Sequence, residues 1–177
     1  MASKTLFVGI DVGASELVIV VRRNGKPGKV KTFTNTPEGH TALIGYLNPD
    51  KHPCRVCLEA TGTYHLDIAV ALSRAPSIEV MVMNPKAVKN FANALMQRNK
   101  TDAVDAALLA EIAELLDYKQ EFKVWQVPSA SVLEIRACSR RLSELSQQKA
   151  RANASTGSAQ EINFTPWRQP NKRQRSC

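Results

Sequence analysis

The chain has no long apolar run. Nowhere in its 177 residues is a stretch apolar enough to cross a bilayer as a helix, so no membrane partner is expected. The opening MASKTLFVGIDVG enters a strand-like pattern at once and lacks the apolar core of a secretory leader. A cytoplasmic protein is therefore expected, nucleoid-associated when bound if the source is bacterial. Cysteine is scarce, with four in all. Cys54 and Cys57 have the C-x-x-C spacing of a zinc or redox pair. Zinc needs four ligands, and no second pair of suitable spacing is present. The pair also sits in CRVCLEA, which reads as a buried strand, where residues three apart face opposite sides. Both are expected to be small core fillers. No internal repeat is visible. Acidic residues are the minority, 16 against 24 lysines and arginines, for a net charge of +8. That balance favours a polyanionic partner, nucleic acid ahead of a membrane surface.

What is present is an ordinary globular composition, 44% hydrophobic and 23% charged. Residues 5–12 and 16–23 read as strands rich in β-branched and apolar residues. Asn24-Gly25-Lys26-Pro27-Gly28 signals a turn, and residues 29–34 read as a third strand. Thr36 and Pro37 suit the N-cap and first position of a helix running to about Leu47. Residues 54–59 form a nearly continuous apolar strand, as a parallel position covered on both faces requires. A helix over 64–74, a strand over 78–83 and a helix from Asn84-Pro85 to about Met96 follow. TDAVDAALLAEIAELLD at 101–117 is the clearest helix, capped by Thr101 and rich in alanine and leucine. The order is three antiparallel strands, then two parallel ones reached through helices. It predicts an α/β, ribonuclease-H-like mixed five-stranded sheet flanked by helices over 1–118.

Residues 119–150 read as a connector, with a short strand possible at 122–127, and a separate helix over 128–150. Ile135, Cys138, Leu142 and Leu145 recur at spacings of three and four, as in a coiled-coil seam; an ordinary amphipathic helix has the same signature. Residues 151–177 are poor in aliphatics. They hold Arg151, Arg168, Lys172, Arg173 and Arg175 against Glu161, the composition of a disordered basic tail.

Four carboxylates fall where such a fold can gather them. Asp11 lies on the first strand and Glu59 ends the fourth, its neighbour in a ribonuclease-H-like sheet. Asp102 and Asp105 are three apart and share a helix face. Hard magnesium or manganese ions take oxygen ligands, and clustered acids repel one another until a cation arrives. Taken singly, each acid has a bland explanation, such as a strand end or a helix dipole. Taken together, in this order on these elements, they point to metal-dependent phosphodiester chemistry. Glu16, Asp67, Glu111, Glu114 and Asp117 are expected on solvated faces. Lys86, Lys89, Arg98 and Lys100 are candidates for a phosphate-binding edge beside the acids. Gly9 and Gly13 flank Asp11 and would let a backbone or an ion come close.

GIDVGASELVIVV, LEATGTYHLDIAVAL, NPKAVKNFANAL and RNKTDAVDAALLAE together resemble the DEDD transposase family of bacterial insertion sequences over about residues 5–150. That family includes the pilin-gene inverting recombinase and the bridge-RNA-guided recombinases. The resemblance implies a resolvase-like, RuvC-type domain with Asp11, Glu59, Asp102 and Asp105 as the metal-binding tetrad. It implies DNA as partner, a guide RNA in some members, and a homo-oligomer formed through residues 128–150. It also implies a later domain with a serine nucleophile, which no late serine here matches, so complete recombination by these residues alone is not expected. Sugar kinases open on a similar strand but need a second phosphate-binding lobe, for which the chain has no room. Two further readings stay open: a stand-alone junction-resolving nuclease, and a non-catalytic fragment that dimerises and binds nucleic acid.

Overall fold

A computed structural model describes residues 5–47, 52–60, 62, 64–96 and 101–157. The chain divides after Pro128 into an α/β unit and a helical unit.

In the first unit, β1 (Leu6–Val12) pairs antiparallel with β2 (Glu16–Arg23). The hairpin that leaves β2 turns tightly at Asn24-Gly25, both at positive φ, as a two-residue primed turn requires. The expected third strand is thereby split into β3 (Lys26–Pro27) and β4 (Lys31–Thr34), both paired to β2. The pairing slips by one residue between the two pieces, which is a bulge. Helix α1 (Pro37–Leu47) follows, with the Thr36 hydroxyl accepting from the Gly39 amide. Strand β5 (Cys54–Glu59) then inserts parallel to β1, and β6 (Ile78–Met83) parallel to β5. Between them runs α2 (His65–Ser73), and after them α3 (Pro85–Ala94) and α4 (Asp102–Tyr118). The strand order is β3-β2-β1-β5-β6, with β4 also on β2. This is the ribonuclease-H-like α/β arrangement.

Alternation along the strands separates two cores. Leu6, Val8 and Ile10 of β1 join Val56, Leu58, Leu43 and Ile68 under α1 and α2. Phe7, Cys57 and Met81 pack beneath Val88, Leu108, Leu109 and Ile112 of α3 and α4. Cys54 and Cys57 thus lie in opposite layers, both as free thiols, and burial pushes both up to about 12. They share no site, as their strand spacing requires.

The segment expected as a short strand at 122–127 forms no strand. It is held by the Trp125 amide donating to the Val80 carbonyl and by Trp125 and Phe122 packing on the two cores.

In the second unit, α5 (Ala130–Gly157) extends seven residues past the expected end at 150. Arg151 therefore lies on a helix rather than in an irregular tail. The other basic residues assigned to the tail lie outside the described residues. Ile135 is 67% and Leu142 65% exposed, and Leu145 and Cys138 are exposed too. Among the described residues no helix is long and apolar enough to cross a membrane.

Candidate functional site

Strand register brings the first two acids to one end of the sheet. The last parallel pair is Ile10 with Leu58, so Asp11 and Glu59 stand side by side one step beyond it. Both are half-buried. Each lies two residues past a neighbour, Gly9 or Cys57, whose side chain or space faces α4. Alternation therefore puts both acids on the α4 side.

Gly9 explains how close α4 comes. A Cβ there would stand 1.9 Å from the Ala106 carbonyl oxygen and 2.3 Å from the Ala110 nitrogen. The helix backbone rests directly on the strand, and it is a backbone rather than an ion that uses the space. The helix runs antiparallel to β1, so its N-terminal turn lies beyond Gly9 toward Asp11. Thr101 caps that turn by accepting from the Val104 amide at 3.2 Å. Asp102 is exposed and Asp105 half-buried in the first turn.

The other end of α4 is pinned by arginines that leave the sheet. Arg22 meets Glu114 at 2.8 Å and Glu111 at 3.6 Å. Arg55 pairs with Asp117 and, at 2.8 Å, with Glu79, and lies over the Phe122 ring. Glu111, Glu114 and Asp117, expected on solvated faces, are half-buried clamps instead. The signal was present: an arginine inside an apolar strand needs an acid on the element that covers it. Glu16 and Asp67 are exposed, as expected.

The electrostatics tie the four acids together. Burial pushes the Asp11 carboxyl up to about 6, and the charges of Asp102, Asp105 and Glu59, in that order, push it the same way. Asp11 therefore feels all three other acids. Their chemistry suits a hard divalent cation. Among the described residues, however, no three acid, histidine or cysteine side chains are drawn into a finished metal-binding group. The acids share one end of the sheet, where their like charges act on one another.

Lys86 and Lys89 are exposed on α3. That helix starts at the same sheet end, because Met83, just before it, is registered with Glu59. Asn84 caps it by accepting from the Lys86 amide. Arg98 and Lys100 lie outside the described residues. Tyr64 is exposed at the start of α2, and His65 is half-buried.

Residues 8–158 match the family model of the IS110-type DEDD transposases. Among solved structures, Thermus thermophilus RuvC is similar at 17% identity with a TM-score of 0.52, covering 68% of this chain and 99% of RuvC. The structure of T. thermophilus RuvC in complex with a Holliday junction substrate is similar at 16% identity and a TM-score of 0.51, with the same coverage. At these identities the likeness is one of fold. No curated protein matches the sequence.

Proposed function

Because this chain belongs to the IS110-type DEDD transposase family, we propose that it carries the catalytic domain for metal-dependent phosphodiester chemistry on DNA in transposition or site-specific recombination. Asp11, Glu59, Asp102 and Asp105 would hold magnesium or manganese. Bound there, the metal would activate an attacking oxygen and stabilise a leaving one. The chain's own part is to bring four carboxylates to one sheet end, to set two of them on a helix seated rigidly on Gly9, and to keep Asp11 partly out of water. The observation that carries this reading is the meeting of Asp11, Glu59 and the acidic first turn of α4 at one sheet end, where burial first, and then the charges of Asp102, Asp105 and Glu59, raise the proton affinity of Asp11. A carboxylate held against its own repulsion is stabilised by a cation.

DNA is the proposed partner, met through phosphate contacts by Lys86 and Lys89, with Arg98 and Lys100 as further candidates. A guide RNA is proposed as a second nucleic-acid partner, as in some family members. Self-association is proposed through residues 128–150, where Ile135, Cys138, Leu142 and Leu145 lie exposed on α5. The domain layout proposed is 1–118 for catalysis, 119–150 for connection and dimerisation, on a helix that continues to Gly157, and a basic segment beyond it.

The test is incubation of the protein with branched and linear DNA in manganese. Nicking is expected in the parent and not in Asp11→Ala or Asp102→Ala. Manganese should also raise the melting temperature of the parent alone, by preferential binding to the folded state. Nicking that persists in both variants would remove the acids from the chemistry. DNA binding with neither nicking nor a metal-induced shift would favour a non-catalytic, nucleic-acid-binding role.

A further inference from the structure

Resting on the reading of Asp11 and Glu59 as metal ligands, we infer that Asn35 is a positioning residue that ties the β1–β2 turn after Asp11 to the start of α2 after Glu59 and so sets the spacing of their carboxylates. Sheet hydrogen bonding between β1 and β5 ends at Ile10 and Leu58, one residue before the acids. Beyond that point each acid keeps its outer strand partner, Asp11 with Val18 and Glu59 with Met83, and a tie between the two ends themselves comes from elsewhere. Asn35, directly after β4, supplies it.

Its side-chain nitrogen donates to the Gly13 carbonyl at 2.9 Å and to the Tyr64 carbonyl at 3.4 Å. Gly13 is two residues past Asp11, and Tyr64 is five residues past Glu59. The Asn35 amide also donates to the Ser15 carbonyl at 2.8 Å. One residue thus joins the β1–β2 turn to the start of α2.

The orientation of the Asn35 side chain is dictated by chemistry. Backbone carbonyls only accept, so the NH2 group faces Gly13 and Tyr64. The oxygen Oδ1 is left facing His40 Nε2 at 2.8 Å. That ring nitrogen must therefore carry a hydrogen. His40 is the buried polar side chain of α1, 7% exposed, and burial lowers its proton affinity, consistent with a neutral ring protonated at Nε2. It reaches Asn35 because α1 lies against β4 at Gly39, where a Cβ would stand 2.0 Å from the Thr34 carbonyl oxygen. His40 and Asn35 form a support that starts in the core and ends on the two loops.

Partners that orient metal ligands are commonly worth ~10–100-fold in metal affinity. The test compares Asn35→Ala with Thr41→Ala, which removes a hydrogen bond from Thr41 to the Pro37 carbonyl on the same helix. Two quantities are measured on the full chain: amide hydrogen exchange and Mn2+ affinity by electron paramagnetic resonance titration. In Asn35→Ala, exchange should speed up at Gly13, Glu16 and the first turn of α2, with β5 unchanged. Mn2+ affinity should fall by up to about tenfold, the low end of that range, because Asn35 bonds the backbone beyond the acids and not the acids themselves. Thr41→Ala should match the parent in both. His40→Gln retains an amide donor toward Oδ1 and should stay near the parent, whereas His40→Leu should behave as Asn35→Ala.

Unchanged exchange in both loops of Asn35→Ala overturns the fastening role. Faster exchange with unchanged Mn2+ affinity overturns the control over carboxylate spacing. A parent that binds no Mn2+ sinks the metal reading itself, and the exchange comparison still decides whether Asn35 fastens the loops. If Asn35→Ala does not fold, Asn35→Asp, which keeps the acceptor for His40 and loses both donors, takes its place.

Discussion

Asp11 has a cost that depends on pH. Its carboxyl titrates near 6 in the folded protein against 3.8 ordinarily, so the folded state binds this proton more tightly than the unfolded one. By linkage, the penalty is absent below about pH 4, grows as pH rises, and is complete above the folded value. Asp11→Asn should therefore melt higher than the parent at pH 7 without metal, and the gain should vanish by about pH 4. Saturating manganese should reverse the order at pH 7, because the variant lacks a ligand. A gain that is equal at both pH values would mean that the charge of Asp11 is not the cause. The cysteines give a second check. Thiols held up at about 12 by burial are not thiolates at neutral pH and are poor nucleophiles. Alkylation of the folded protein should mark Cys138 and spare Cys54 and Cys57 until it unfolds.

The helix on Gly9 should be intolerant of even one methyl group. Gly9→Ala drives a Cβ into the α4 backbone and should cost about 1–3 kcal/mol or more, with loss of metal binding as the first turn of α4 is displaced. Gly45→Ala is the contrast: nothing lies within 4 Å of its Cβ position on the exposed face of α1, so it should stabilise by roughly 0.5–1 kcal/mol. Thermal melts of both variants test this, and a Gly9→Ala melt equal to the parent's would contradict the packing. These elements differ in how far they can be read from residue order. β1, β2, β5 and β6 are visible as apolar runs because each is covered on at least one face. The edge strand is less so, since Lys31 and Thr32 have little to bury and the bulge after Pro27 leaves no hydrophobic trace. The first acids are legible as breaks in apolar strands, and Asp102 and Asp105 as a capped, acidic helix start. The arginine clamps and the Asn35–His40 support are tertiary pairings across more than one element, which no local periodicity records.

At the scale of the whole molecule, the net charge of +8 should make DNA binding fall steeply with salt, since phosphate contacts release counterions. Affinity that stays constant between low and moderate salt would argue against such an interface. Sedimentation at tens of micromolar should show self-association that Leu142→Glu abolishes; a monomeric parent would reject the α5 seam. The two borders of the sheet bear on how copies meet. One border is the short β3 and β4, offset by a bulge. The other, β6, has its Val80 carbonyl taken by Trp125. A bulged, two-piece border and one that already engages a covering segment are poorer templates for added strands than a long, flat, bare edge. Concentrated protein should thus assemble reversibly and stop at a fixed size, where a sheet with bare borders would keep adding strands until it left solution.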